Sequence, residues 1–262
     1  DRQLSSRLYV ADTESRIQQE ILLGVGGVRV LRALGIHPAV WHANEGHTAF
    51  MMLERVREEV EKGSTFNKAI EKVRASTIFT THTPVPAGHD VFPVQLVERY
   101  FHNFWGQLGI DKEKFVSLGQ QNGLCRQSFN MTSLALATAD RCNGVSQLHA
   151  GVSRKNWHAL WPKAKEDDVP IAHITNGIHI PTWVAPEMGR LYEKYLGKDW
   201  IKRHDDPELW KHVIDIPDDE LWSVRKHLKR NLMVTMREFA RKRWSGVELA
   251  PQQALAMGAL LD

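Results

Sequence analysis

Hydrophobic and polar residues alternate in blocks over the first two thirds of the chain. Short apolar runs at 39–43, 76–80, 141–145 and 171–174 each end in polar residues. Between these runs, apolar residues recur at the three- and four-residue spacing of amphipathic helices. Strands that alternate with helices predict an α/β fold, in which helices flank a parallel sheet and polar residues gather where the strands end.

The apolar spacing also places the helices. Helices are predicted at residues 13–34, 49–60, 64–73 with Ser64 as the cap, 94–108, 130–140 and 146–161. Gly24, Gly26 and Gly27 interrupt the first of them. A phosphate-binding glycine loop needs a preceding strand, so close packing of this helix against a neighbour is the favoured interpretation. Residues 109–129 are weakly patterned and are predicted to be irregular.

Beyond Pro181 the pattern becomes helical, without an evident strand. The predicted helix at 218–243 is rich in basic residues: Arg225, Lys226, Lys229, Arg230, Arg237, Arg241, Lys242 and Arg243. A solvated face is favoured over a nucleic-acid surface, because neither interleaved aromatic residues nor a glycine-rich loop accompanies these charges. The change in pattern sets a domain boundary near residue 179, with domains at 1–179 and 180–262.

Composition narrows the classes of partner. The 262 residues carry 34 basic and 31 acidic side chains, a net charge of +3, which is too small to indicate nucleic-acid binding. Cys125 and Cys142 are too few for a disulfide framework and favour a reducing, cytoplasmic setting. No apolar run approaches the roughly 20 residues of a membrane span. Neither end carries a terminating signal, so we expect a fragment of a longer protein.

Two polar loops carry the candidate chemistry. The first, residues 44–47, has two interpretations. In one, Asn44 caps the following helix and Gly46 permits a tight turn. In the other, Glu45 and His47 bind the hydroxyl groups of a sugar. The second loop comprises residues 81–90. Each of the two loops follows a predicted strand, and the strands are neighbours, so both loops are expected at one edge of the sheet.

A metal site is an alternative for the same histidines. His82, His89 and Asp90 are possible ligands, but their spacing is not diagnostic of any metal. His42 and His47 lie five residues apart across a strand end, so they do not form the zinc-peptidase pattern of two histidines on one helix face. No metal is therefore expected.

Five strings in these loops are specific when they are taken together. They are Asn44–Phe50, Phe79–Asp90, Asn130–Met131, Asn143–Ser146 and Thr175–His179. In sequence, order and spacing they resemble the α-glucan (glycogen, maltodextrin, starch) phosphorylases, most closely the shorter bacterial and archaeal form.

The resemblance implies a fold and an activity. The fold is a glycosyltransferase of the GT-B type, with two Rossmann-like domains that face a cleft. Residues 1–179 would be the end of its N-terminal, glucan-binding domain, and 180–262 the helical start of its C-terminal domain. The activity is reversible, retaining phosphorolysis of an α-1,4-glucan by orthophosphate to glucose 1-phosphate.

The resemblance also implies a cofactor and partners. Pyridoxal phosphate would act through its phosphate group, and its lysine would lie outside this chain, so the isolated fragment is expected to be inactive. The partners would be the glucan, orthophosphate and glucose 1-phosphate, without nucleic acid or membrane. The full-length protein could be a homo-oligomer.

Site residues carry over position by position. His82 matches the catalytic-site histidine that binds the hydroxymethyl oxygen of the transferred glucosyl unit, and Asn176 matches an asparagine that contacts the same sugar. Asn44, Glu45 and His47 fall on the loop that lines the acceptor-glucan side. Mammalian-type enzymes carry aspartate and threonine where this chain has Glu45 and the glycine after it.

Three other functions stay open from the sequence. A nucleotide-sugar-dependent glucan synthase shares the two-domain architecture, a non-catalytic module would bind glucan without turnover, and a metal-dependent hydrolase would need a bound ion. Three measurements would separate these functions: which sugar donor is used, whether glucan binds without turnover, and whether the purified protein contains a metal.

Overall fold

The chain forms two compact units, Asp1–Asn176 and Gly177–Asp262. The residues that the computed structural model describes are 3–6, 12–85, 88–120, 127–244 and 252, with side chains up to residue 242 in the last helix. The sequence placed a domain boundary near residue 179, and that boundary stays a prediction about the full-length protein.

The first unit contains a parallel sheet. Its strands, with those of a second small sheet, are β1 (Trp41–Asn44), β2 (Thr77–Thr81), β3 (Val91–Pro93), β4 (Ser128–Asn130), β5 (Arg141–Gly144) and β6 (Ile171–His173). The larger sheet has the order β1-β2-β5-β6, and each neighbouring pair is parallel. These are the four predicted strands, so the α/β fold with a parallel sheet is confirmed. β3 and β4 form a separate antiparallel ribbon.

Helices flank this sheet. They are α1 (Thr13–Ile21), a π-helical turn (Leu22–Gly26), α2 (Gly27–Ala33), α3 (Phe50–Glu61), α4 (Phe66–Ala75), α5 (Val94–Phe101), α6 (Phe104–Gln107), α7 (Lys112–Ser117), α8 (Met131–Thr138) and α9 (Gln147–Trp157). Two sequence predictions were wrong. The stretch 109–129 is not irregular throughout, since it contains α7 and the start of β4. Thr65, not Ser64, precedes α4, and its side chain makes no capping bond.

A cluster of aromatic rings fills the core beside the sheet. Phe50 packs against Phe101 with ring centroids 4.7 Å apart, and Phe115 stacks on Phe129 at 6.1 Å. Phe50, Phe115 and Phe129 are fully buried. Burial of these rings, worth about 1.5–3 kcal/mol each, ties α3 to α5, α7 and β4, and so fixes the elements that carry the polar loops.

Gly24 marks the point where the first helical segment meets α3. A Cβ atom on Gly24 would lie 2.8 Å from the backbone nitrogen of Met51 and 2.8 Å from Cβ of Phe50. The predicted close packing is therefore confirmed for Gly24. It does not hold for Gly27, whose Cβ would meet no atom within 4 Å.

The described residues of the second unit form helices joined by turns, without a strand. Its helices are α10 (Ile180–Trp183), α11 (Pro186–Leu196), α12 (Pro207–Lys211) and α13 (Asp218–Trp244). A small core forms around Leu196, Trp200 and Leu209, and Tyr192 packs edge-on against Trp200 with centroids 5.2 Å apart. Most of the basic side chains of α13 are exposed. No helix in the described part of either unit is long and apolar enough to cross a membrane.

The two glycines give a matched stability test. Gly24→Ala should lower the free energy of unfolding by about 1–3 kcal/mol, because the added methyl group overpacks against the backbone of α3. Gly27→Ala should raise it by about 0.4–1 kcal/mol, because Gly27 has helical dihedral angles and open space at its Cβ position. Urea denaturation of both variants measures the difference, and equal effects would contradict the packing described for Gly24.

Candidate active site

Two strand ends place the polar loops side by side. β1 and β2 pair in parallel with Asn44 opposite Thr80. The backbone N–H of Glu45 continues the ladder by donating to the carbonyl of Thr80 at 2.9 Å. The chain therefore leaves both strands at the same carboxyl edge, which is where open α/β sheets bind ligands.

The ring of His82 is held by the carboxamide of Asn44. Nε2 of His82 lies 2.6 Å from Oδ1 of Asn44. Because the amide oxygen can only accept, Nε2 carries the proton and Nδ1 is the acceptor nitrogen of the neutral ring. Residue His82 is exposed, so the arrangement presents an imidazole of defined tautomer to the space above the sheet.

Glu45 holds the backbone of the same loop. Its Oε1 accepts the backbone N–H of His82 and, at 3.3 Å, that of Thr83. Its Oε2 lies 3.4 Å from the hydroxyl of Thr83. The carboxylate is thus directed at the second loop, and Asn44 and Glu45 together fix the ring and the main chain of His82.

The backbone of Glu45 is strained. Its φ of 72° is the one positive φ among the described residues other than glycine, and its ψ is 168°. This region of dihedral space is almost restricted to glycine and costs a side-chain-bearing residue of the order of 1–3 kcal/mol. The surrounding contacts must therefore stabilise the conformation.

Glycine is needed at position 46 because of close packing, not because of the tight turn that the sequence suggested. The left-handed backbone falls on Glu45, whereas a Cβ on Gly46 would lie 2.9 Å from Oγ1 of Thr132. Gly46–Thr48 forms a single 3-10 turn that carries the half-buried His47. The first turn of α8 thereby supports the loop from below, which no local sequence signal indicated.

The far end of the second loop is also anchored. Nδ1 of His89 lies 2.9 Å from Oγ1 of Thr132, and its ring packs edge-on against Trp157 with centroids 4.9 Å apart. Asp90 accepts two hydrogen bonds from Arg16, at 3.2 and 2.9 Å. Residues 86–87 between the two anchors lie outside the described part.

Asn176 lies at the same edge as His82. Its backbone N–H donates to the carbonyl of Val145 at 3.0 Å, and Val145 directly follows β5. Because Thr81 of β2 lies opposite Gly144 of β5, two strand spacings, or about 10 Å, separate the main chains at residues 82 and 176. Both residues are exposed.

A hydrogen-bonded chain beneath this edge was missed from the sequence. The hydroxyl of Thr80 donates to Oδ1 of Asn143 at 2.9 Å and lies 2.8 Å from Nε2 of His42. These side chains come from three adjacent strands and make the upper rim of the sheet polar. Only the register of the strands brings them together, so separate sequence motifs could not reveal the chain of bonds.

Comparison with known proteins bears on this site. The family model described as carbohydrate phosphorylase matches residues 35–255, which include all the loops described above. The chain belongs to the carbohydrate phosphorylase family. The resemblance seen in the loop sequences is thereby confirmed.

Several curated relatives of the family are similar to the chain. The maltodextrin phosphorylase of Thermococcus litoralis is 42% identical over 243 residues, which are 93% of this chain and 28% of that protein. The glycogen phosphorylase of Aquifex aeolicus is 39% identical over 262 residues, 100% of this chain and 37% of that protein. The glycogen phosphorylase of Mycobacterium tuberculosis is 40% identical over 255 residues, which are 93% of this chain and 29% of that protein. The chain spans about a third of the length of these relatives.

The described part of this phosphorylase-family chain does not fit a resident metal or pyridoxal phosphate. No three His, Cys, Asp or Glu side chains within it group as metal ligands. Every lysine in it is exposed, whereas a lysine that reacts with a carbonyl cofactor is typically activated by desolvation or a neighbouring charge. We assign no step to pyridoxal phosphate from these residues.

Buried charges lie next to His47 in this family member. Nε of Arg16, which donates to Asp90, also lies 2.9 Å from Oε1 of Glu20, and Glu20 is 1% exposed. Arg16 is thus shared between the carboxyl groups of Glu20 and Asp90. Burial, followed by repulsion from Asp90 and hydrogen bonding to it, raises the pKa of Glu20 to about 9. Glu20 is therefore protonated at neutral pH and can donate to Asp90.

Burial also shifts the pKa values of two histidines, the half-buried His47 and the buried His89. Burial, and next the charge of Arg16, lowers the pKa of His47 below its ordinary value. Burial likewise lowers the pKa of His89. A lowered pKa favours the neutral imidazole, which suits hydrogen bonding to uncharged hydroxyl groups.

The protonated Glu20 predicts a specific pH dependence of stability. Its folded pKa exceeds its unfolded value of 4.5, so between those values the folded state holds a proton that the unfolded state has lost. The free energy of unfolding should therefore fall as the pH rises, by up to about 1.4 kcal/mol per pH unit. Glu20→Gln should flatten this slope between pH 6 and 9, as measured by urea denaturation. The exposed Glu61, changed to Gln, is the control, and an unaltered slope in Glu20→Gln would contradict the assignment.

The strain at Glu45 predicts that its alanine and glycine variants differ in stability. Glu45→Ala and Glu45→Gly both remove the carboxylate, but only alanine retains the steric conflict at φ 72°. The glycine variant should be more stable than the alanine variant by about 1 kcal/mol, although glycine gains more entropy on unfolding. Thermal denaturation of the pair tests this, and a more stable alanine variant would show that the backbone conformation differs from the one described.

Proposed function

We propose that this chain is the central segment of an α-glucan phosphorylase. The reaction is reversible phosphorolysis of an α-1,4-glucan with retention, which yields glucose 1-phosphate and a shortened chain. Family membership over residues 35–255 is the observation that carries the proposal. The names of the similar proteins, maltodextrin and glycogen phosphorylase, support the substrate class.

In this proposal His82 binds the sugar that is transferred. Asn44 fixes the proton on Nε2, so Nδ1 accepts a hydrogen bond from the hydroxymethyl group of the glucosyl unit. The side chain of Asn176 contacts the same sugar from the chain that follows β6, two strand spacings away. Each well-placed polar contact in a site closed to water contributes on the order of 3 kcal/mol to transition-state stabilisation.

The remaining residues of the first loop line the acceptor side. His47, whose pKa is lowered by burial, bonds to glucan hydroxyls, and Asn44 and Glu45 belong to the same loop. An uncharged imidazole can both donate and accept, which matches the dual character of a hydroxyl group. Nothing in this arrangement calls for a nucleotide or a metal ion.

The proposal extends to the full-length protein. Its architecture is of the GT-B type with two Rossmann-like domains, of which 1–179 ends the first and 180–262 begins the second. Orthophosphate and pyridoxal phosphate bind to the remainder, and the protein acts in the cytoplasm. The support is the family match together with the exposure of every lysine in the described residues.

The test uses the full-length protein that contains this chain. It should release glucose 1-phosphate from maltoheptaose only when orthophosphate is present. His82→Ala should lower kcat/KM about 100-fold, the equivalent of one lost transition-state contact. His102→Ala, at an exposed position outside the site, should leave kcat/KM unchanged, and the 262-residue chain alone should show no turnover.

Other results would overturn the proposal. Glucan elongation from a nucleotide-diphosphate glucose, without a requirement for phosphate, would indicate a synthase. Binding of maltooligosaccharide without turnover by the full-length protein would indicate a glucan-binding module.

A further inference from the structure

Glu45 is not oriented as a ligand of sugar hydroxyls. Both of its carboxylate oxygens face the second loop, where Oε1 accepts the N–H groups of His82 and Thr83. Oε2 lies beside the hydroxyl of Thr83. A carboxylate offers about four acceptor positions, and three of those of Glu45 are directed at one loop.

The backbone conformation of Glu45 directs its side chain towards this contact. Its N–H stays in the sheet ladder with Thr80, and its carbonyl accepts from the hydroxyl of Thr48 at 3.0 Å. With both backbone groups fixed, the φ of 72° directs the side chain across the gap between the two strand ends. Strain held in place by surrounding contacts is typical of functional sites.

The hydrogen bonds to Asn44 and to Glu45 restrain different parts of His82. Asn44 restrains the imidazole ring, and Glu45 restrains the peptide from which that ring extends. Without the carboxylate, the N–H groups of residues 82 and 83 would turn to water and the start of the loop would have no fixed position. The ring would then sample orientations in which Nδ1 does not meet the sugar.

We infer that Glu45 is a positioning residue that holds His82 in its reactive orientation, and that it does not bind glucan directly. This inference rests on the proposed phosphorolysis. It replaces the expectation from the loop sequence that Glu45 binds sugar hydroxyls. In this role the carboxylate affects kcat through the orientation of His82.

The experiment compares three variants in the full-length protein. Glu45→Ala should lower kcat about 10- to 100-fold through misorientation of His82, with little change in KM for maltoheptaose. Glu45→Gln should retain kcat within about fivefold of the wild type, because the amide oxygen still accepts from the same N–H groups. Glu45→Gly should lose activity as Glu45→Ala does, even though it is the more stable of the two. Equal losses in two variants of different stability would not follow their stabilities, which separates the loss from unfolding.

Two outcomes would overturn the inference. A raised KM with unchanged kcat in Glu45→Ala would make Glu45 a direct glucan ligand. Wild-type kcat and KM in both the alanine and glycine variants would show that the loop needs no such restraint. Failure of the proposed function is separate, since the wild-type protein itself would then release no glucose 1-phosphate.

Discussion

Parallel pairing of β1 with β2 is the constraint on which the candidate site depends. The register sets Asn44 opposite Thr80, so the residues that follow each strand emerge next to each other. A shift of one residue would turn every side chain of β1 to the other face. Burial of alternate residues in β1, Trp41 and Ala43, fixes that register through the hydrophobic effect. The same force that folds the sheet therefore brings the two loops together.

The loops themselves are stabilised by polar contacts on a rigid base. At one end Asn44 and Glu45 hold His82, and at the other end Arg16 holds Asp90. The base is apolar, since the buried rings of the aromatic core include Phe50 at the start of α3. A strained backbone at Glu45 can therefore persist, because its cost is small compared with the free energy gained by burying the aromatic rings of the core.

The sequence predicts the framework of this site better than its contacts. Apolar runs bounded by glycine, proline and polar residues located all four strands of the parallel sheet, because alternation of burial leaves a direct mark on the chain. The loop strings identified the family. The bonds of Asp90 with Arg16 join residues 74 positions apart, and the support of Gly46 by Thr132 joins two helices, so neither leaves a local signal. The backbone of Glu45 was also not predictable, since glycine followed it and was the more obvious candidate for an unusual turn.

The contact of Gly24 with Phe50 and Met51 has a further effect on the loop that precedes them. The 3-10 turn with His47 ends only two residues before Phe50, so the start of α3 is wedged between this turn and the first helical segment. An incoming molecule that pushed His47 aside would have to move a helix as well. The loop around His47 is therefore stiff, and a ligand that binds there must already match its shape.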